Sequence, residues 1–261
     1  MNLDLTGKKA LITAASKGIG FGAAMALARE GCQVIVSSSN PENLSVAVSK
    51  IQAETEAMVS SFVMDVSSLQ SVAEVLPRIL SEHSVDIVLL NGPGPKPMQA
   101  QDATDEDLLG ALTTNLVSQV AICRAVLPGM IQRRFGRIIA LTSTTAREPD
   151  PGMVLSNTAR AGMIAYAKTL SREVAVHGIT VNSILTGGVM TERTRFLLQH
   201  AADEQGKDFD AVLEETVQIF PDRHIPSPDE FAATLVYLAS PVSRGVNGVS
   251  LPIDGGLMRA L

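Results

Sequence analysis

Aromatic residues are scarce in this chain: no tryptophan, two tyrosines and seven phenylalanines among 261 residues. That disfavours a base-stacking platform. Cysteine is nearly absent too, with only Cys32 and Cys123. Neither stands at ligand spacing from the four histidines, so a disulfide framework and a zinc site are both disfavoured. The two thiols read as small core residues in a reducing compartment. Positive charge is in deficit, 21 Lys and Arg against 27 Asp and Glu, for a net charge of −6 and a pI near 5.3. With no basic run, a nucleic-acid surface is not expected. Long hydrophobic runs are missing as well. The segment Met1–Lys9 reads as neither signal peptide nor anchor, and no apolar stretch elsewhere is expected to reach bilayer length. A cytoplasmic protein without membrane partners is expected.

What is present is an even alternation of short apolar runs with amphipathic stretches. Hydrophobic residues make up 46% and charged residues 18%, a composition that fits one compact α/β domain spanning 1–261. Strands are predicted at Lys9–Thr13, Gln33–Val36, Ser60–Met64, Asp86–Leu90, Arg137–Leu141, Thr180–Leu185 and Val249–Ile253. Helices are predicted between them. One runs near Gly20–Glu30, and one from Asn40-Pro41 to about Thr55. Another follows a Ser67/Gln70 capping box, and a long one runs from a Thr104/Asp107 box toward Arg134. Ser156–His177 follows, ended by Gly178, and a last helix opens at Ser227-Pro228-Asp229-Glu230. Strands apolar throughout and alternating with helices imply a doubly wound parallel sheet of the Rossmann type. About seven strands are expected, with helices on both faces and all strand-to-helix loops at one edge. The polar stretch 187–222 breaks the rhythm and is expected to be a substrate lid.

Between the first strand and the first helix lies Thr13-Ala14-Ala15-Ser16-Lys17-Gly18-Ile19-Gly20. Glycines at such a turn let the backbone approach a diphosphate, and the helix N-terminus supplies N–H donors. The turn resembles the Thr-Gly-x-x-x-Gly-x-Gly signature of the short-chain dehydrogenase/reductase family. Further family features stand in register: Asp65-Val66 after the third strand, Asn91-Gly92 after the fourth, Asn115 in the long helix, Ser143 after the fifth, Val181-Asn182-Ser183 in the sixth, and the closing Asp254-Gly255-Gly256. The resemblance extends from Leu5 to Met258. It departs at Ala14, where the family has glycine; the extra methyl is harmless there only if the backbone is not left-handed.

The resemblance implies a nicotinamide dinucleotide held by Thr13, Ala15, Ser16, Lys17, Gly18, Ile19 and Gly20. Asp65 and Val66 would border the adenine, with Asn91 and Gly92 beneath the cofactor and Gly187, Val189 and Thr191 toward the nicotinamide. An acidic residue at the end of the second strand marks NAD. Here the residues are Ser37-Ser38-Ser39-Asn40. Without a carboxylate, Ser38, Ser39 and Asn40 can accept a 2′-phosphate, with Lys17 beside it, so NADP(H) is favoured over NAD(H).

At the reaction centre the pattern departs. Members of the family use a serine, a tyrosine and a lysine, with an asparagine orienting water. Ser143 and Asn115 match the first and last. Thirteen residues after Ser143, where tyrosine is expected, stands Ser156, and four further on, where lysine is expected, stands Arg160. They share a helix face. Arg160 retains charge for the nicotinamide ribose. Ser156 is a far weaker acid than a phenol and shorter by a ring, so it, or a water, would relay the proton. Tyr166 lies nearly three turns beyond Ser156, and Tyr237 falls in a late apolar helix; neither can replace it.

Lys96, Arg147, Arg193, Arg195 and Arg223 fall near the same edge and hint at an anionic substrate such as an acyl thioester. Three readings follow: an NADP(H)-dependent carbonyl reductase similar to the 3-oxoacyl carrier-protein reductases, a cofactor-binding subunit with little redox activity, and a non-redox enzyme on the same frame. The resemblance also implies a homotetramer.

Overall fold

The computed structural model describes residues 2–260. In chain order the elements are β1 (Lys9–Ile12), α1 (Gly18–Arg29), β2 (Gln33–Ser38), α2 (Pro41–Glu54), β3 (Val59–Val63), α3 (Leu69–Glu82), β4 (Ile87–Leu90), α4 (Asp105–Leu112), α5 (Ser118–Arg133), β5 (Gly136–Ser143), α6 (Val154–Val174), β6 (Ile179–Thr186), α7 (Glu192–Gln205), α8 (Phe209–Val217), α9 (Pro228–Ala239) and β7 (Ser250–Ile253). The seven strands form one parallel sheet in the order β3-β2-β1-β4-β5-β6-β7. The order reverses between β1 and β4, and a crevice opens there beyond the strands' carboxyl ends.

Neighbouring strand residues point to opposite faces, which explains why the central strands β1 and β4 are apolar on both, while the edge strands β3 and β7 are only partly buried. Ile12, Val34, Val36, Leu89, Ile139 and Ile184 pack with Ala23 and Leu27 of α1 and Phe231 and Leu235 of α9. Their sequence neighbours Leu11, Ile35, Val88 and Ile138, together with Val181 of β6, pack on the other face with Val72 and Leu76 of α3, Ile122 and Met130 of α5, and Met163 and Leu170 of α6. Cys32 and Cys123 are buried free thiols, and burial pushes both up to about 12.

The expected cap at Thr104 with Asp107 is present, and the helix start at Ser227 is a capping box with Glu230. The Ser67/Gln70 box is corrected: Ser68 caps α3, accepting from the Ser71 N–H at 3.2 Å. Ser67 instead donates to the Asp65 carboxylate through its N–H and hydroxyl at 2.9 and 2.7 Å. A second correction concerns the long helix, which is broken by a π-helical turn at Thr113–Val117. Periodicity cannot show one extra residue inserted within an otherwise helical run. Taken together, Asp105–Arg133 is 29 residues long and apolar enough to cross a membrane, against the expectation that no stretch is. Its apolar residues Ile122, Cys123, Val126 and Met130 lie in the sheet-facing core, and its first turn carries Asp105, Glu106 and Asp107. It is therefore read as a core helix.

The stretch 187–222 holds two helices, α7 and α8, which pair around Leu198, Ala202 and Val212 in a small cluster of their own.

Candidate active site

A cleft of about 700 Å³ opens at the carboxyl edge, over the β1/β4 reversal. One wall is the turn from Ala14 to Ile19, which leads into α1. Gly18 adopts φ +57, and an added Cβ would lie 3.4 Å from the Thr191 Cγ2. Gly20 has no room for a side chain, since a Cβ would lie 2.6 Å from the Ala14 carbonyl oxygen and 2.6 Å from the Asn91 Nδ2. Asn91 donates from Nδ2 to that carbonyl at 3.0 Å and fixes the turn's shape. Ala14 itself has φ +48, so the condition for a harmless methyl fails: the residue is held left-handed.

Most predicted cofactor residues line the cleft: Ser16, Lys17, Gly18, Ile19, Ser38, Ser39, Asp65, Val66, Asn91, Gly92, Arg160 and Thr191. Others do not. Thr13 is fully buried, its hydroxyl donating to the Asn91 carbonyl at 2.6 Å and accepting from the Asn91 N–H at 2.8 Å, which ties β1 to the end of β4. Ala15 is fully buried, its N–H bonded to the Ser37 carbonyl at 2.8 Å. Asn40 spends its side-chain oxygen capping α2 through the Asn43 N–H at 2.7 Å. Gly187 is required by close approach, because a Cβ would meet the Asp254 Cβ at 2.8 Å. Val189 is a core residue. Met64, Pro93, Gly94, Leu141, Thr142, Thr186 and Glu192 line the cleft but were not expected, and Arg193, expected only near this edge, lines it too. They lie at strand ends, in a loop and at the start of α7, where no periodic signal marks the side facing the cleft.

At the adenosine end, the Ser16 and Ser38 hydroxyls lie 2.9 Å apart. Ser16 belongs to the turn before α1, while β2 ends in Ser37-Ser38, followed by Ser39, a run without a carboxylate. The Lys17 ammonium lies 3.5 Å from Glu192, both exposed. At the opposite end Arg160 reaches from α6 and donates Nη1 to the Leu141 carbonyl at 3.0 Å, joining α6 to β5 two residues before Ser143. Its Nε is buried without a hydrogen-bond partner. Burial alone pulls its guanidinium down to about 10. Arg137, the other buried arginine, has carbonyl partners for its Nε and Nη1, at Ser240 (3.0 Å) and Gly136 (2.8 Å). Arg160 Nε is thus a donor awaiting an acceptor.

Ser143 ends β5 in register with Thr186, and its oxygen accepts from the Thr145 N–H at 3.2 Å and the Thr145 hydroxyl at 3.1 Å. Ser156 lies one turn before Arg160, is buried at 5% exposure, and is not a cleft-lining residue. Asn115 sits in the π turn with its Nδ2 on the Ala111 carbonyl at 3.3 Å. It faces a side recess of about 370 Å³ that shares Pro93 and Gly94 with the main cleft. π turns recur at functional positions. Tyr166 packs on a core face, its phenol pushed up to about 12 chiefly by burial, and Tyr237 lies on α9; neither lines the cleft.

A family model described as enoyl-(acyl carrier protein) reductase matches residues 13–258. The chain belongs to the short-chain dehydrogenase/reductase family. Among its relatives, the 3-oxoacyl-[acyl-carrier-protein] reductase FabG of Chlamydia muridarum is 31% identical over 258 residues, covering 98% of this chain and all of that one. An uncharacterized oxidoreductase of Bacillus subtilis, YxjF, is 32% identical over 249 residues, 95% of this chain and 96% of that one. Among solved structures, the L-sorbose reductase of Gluconobacter frateurii, in complex with NADPH and L-sorbose, matches over the full length of both chains with TM-score 0.96 at 26% identity. YwfH, an NADPH-dependent reductase involved in bacilysin biosynthesis, matches with TM-score 0.92 at 26% identity, covering 98% of this chain and all of that one. This short-chain dehydrogenase/reductase is thus an oxidoreductase, similar to the 3-oxoacyl reductases, on a Rossmann-type sheet.

Proposed function

We propose that the chain is an NADP(H)-dependent reductase of a carbonyl compound of the 3-oxoacyl kind, working with a non-standard proton relay. The observation that carries this reading is the pair of cleft ends. Hydroxyls of Ser16, Ser38 and Ser39, with no carboxylate among them, suit a 2′-phosphate, and the orphan Arg160 Nε suits a ribose hydroxyl. The left-handed Gly18 and the Cβ-free Gly20 give the turn the close backbone a diphosphate needs.

A bound reduced nicotinamide supplies the hydride that goes to the carbonyl carbon. Ser143, already accepting two hydrogen bonds, has its own O–H free to hold the carbonyl oxygen. Arg160 keeps a full positive charge near that oxygen. The proton arrives through water ordered from Asn115 or by way of Ser156; a relay without a phenol is about 10²–10⁴ slower than a positioned general acid. Residues 187–222, with α7 against the phosphate turn, act as the lid. The chain is a cytoplasmic homotetramer in this reading. Leu109, Val117 and Ile131 on the outer face of Asp105–Arg133 are exposed at 64%, 41% and 36%, an apolar surface for a partner copy to cover.

The test is loss of reduced-nicotinamide absorbance with a panel of ketones and 3-oxoacyl thioesters. The reading expects turnover with NADPH. Tight NADPH binding with no turnover across the panel would overturn it. That result would support the second reading, a cofactor-binding subunit, which the lack of any tyrosine at the cleft favours.

A further inference from the structure

Five charged residues line the cleft: Lys17, Asp65, Arg160, Glu192 and Arg193. Three have their charge answered locally. Lys17 and Glu192 face each other at 3.5 Å, and the Asp65 carboxylate accepts from the Ser67 N–H and hydroxyl at 2.9 and 2.7 Å. Lys96, on the neighbouring loop, is paired to Asp107 at 2.7 Å. Arg160 and Arg193 have no carboxylate within ion-pair distance among the described residues. Arg160 also has the buried, unpartnered Nε. In a chain of net charge −6, two unneutralised guanidinium groups on one cleft are conspicuous.

Arg193 stands in the first turn of α7, and its Nη1 reaches across to the opposite wall: a methyl placed on Gly94 would lie 3.7 Å from it. It is exposed, so it can turn onto a ligand without losing a partner. One turn further along α7, Phe196 and Leu197 are exposed at 70% and 53%. The lid therefore offers a cation at the cleft and an apolar pair beside it.

We infer that Arg193 is a specificity-determining residue that binds an anionic group, carboxylate or phosphate, on the carbonyl substrate as it enters the cleft. Two uncompensated cations on one cleft raise the local concentration of anions, and a guanidinium fork matches either oxyanion. Arg160, held by Leu141, is fixed in place. Arg193 is the mobile member that selects. This inference rests on the reductase reading above.

The experiment compares matched substrates that differ in charge: an oxo acid with its methyl ester, and a 3-oxoacyl coenzyme A thioester with its neutral N-acetylcysteamine thioester. The first pair tests a carboxylate and the second a phosphate. For at least one pair, wild type should favour the anionic member in kcat/KM. Arg193→Gln should lose about tenfold on that member, the scale of one charge-assisted hydrogen bond. The neutral member should change by less than about threefold, and Arg193→Lys should retain part of the preference. The preference should also shrink with added salt. Three results would overturn the inference: no preference in wild type, a preference that survives Arg193→Gln, or an Arg193→Gln variant whose main defect is a raised Kd for NADPH, which would assign the arginine to the cofactor's diphosphate. If no member of the panel consumes NADPH, this inference and the reductase reading fall together. Turnover without charge preference sinks this inference alone.

Discussion

Ala14 is an L-residue in the left-handed region at φ +48, at a position that its family fills with glycine. Its conformation is imposed from both sides. Its carbonyl oxygen is held by Asn91 Nδ2 at 3.0 Å, and the next residue's N–H is bonded to Ser37 at 2.8 Å. The methyl then crowds its own backbone, at about 1–2 kcal/mol. Ala14→Gly removes that strain but frees the unfolded chain, which takes back about 0.4–1 kcal/mol. The expected net is a stabilisation of about 0.5–1 kcal/mol, equivalent to a rise in Tm of roughly 1–3 °C for a chain of this size. Scanning calorimetry on wild type and variant reads this directly. Ala26→Gly, the same exchange in the right-handed interior of α1, should instead lower stability by about 1 kcal/mol. If Ala14→Gly lowers Tm as the helical control does, the left-handed strain is not there and the description of the turn is wrong.

Ser39→Asp places a carboxylate where the 2′-phosphate is expected. It should weaken NADPH binding by about tenfold or more while leaving NADH binding little changed, as read by calorimetry. Ser156→Tyr combined with Arg160→Lys restores the family's proton relay and should raise ketone reduction by about 10²-fold or more, measured as kcat with NADPH. Burial holds Arg160 at about 10, below its ordinary 12.5. Its charge is therefore constant through pH 6–9, and kcat should show no limb from this group there; a lysine in its place should introduce one. The contribution of this group to stability rises with pH between about 10 and 12.5, where the unfolded chain binds the extra proton, and Arg137, also lowered to about 10 by burial, adds in the same direction. Chemical denaturation across that window checks the sign.

All seven strands and their parallel arrangement were legible because short strand-like runs alternate with helical patterns, and the central strands are apolar on both faces. Turn chemistry pointed to Ser16–Ile19, and the family resemblance implied the wall residues at or after the ends of β2, β3 and β4. What escaped was set by tertiary contact. The left-handed Ala14 depends on Asn91 and Ser37, which are distant in sequence. The π turn at Asn115 adds a residue without changing composition. Gly187 and Val189 lie off the cleft lining, Gly187 in close approach to Asp254 and Val189 in the core, contacts that no sequence pattern shows. Arg193 was legible only as one of five cations near the site edge; its reach to Gly94, which sets it apart, depends on where α7 begins.

The central claim is that the β1–α1 turn and the serines ending β2 hold an NADP(H). Titration calorimetry of the purified chain with NADPH and with NADH tests it most directly. The account predicts saturable micromolar binding of NADPH, at least about tenfold tighter than NADH. Equal affinity would contradict the assignment of Ser38 and Ser39, and no heat from either dinucleotide at millimolar concentration would contradict the site itself.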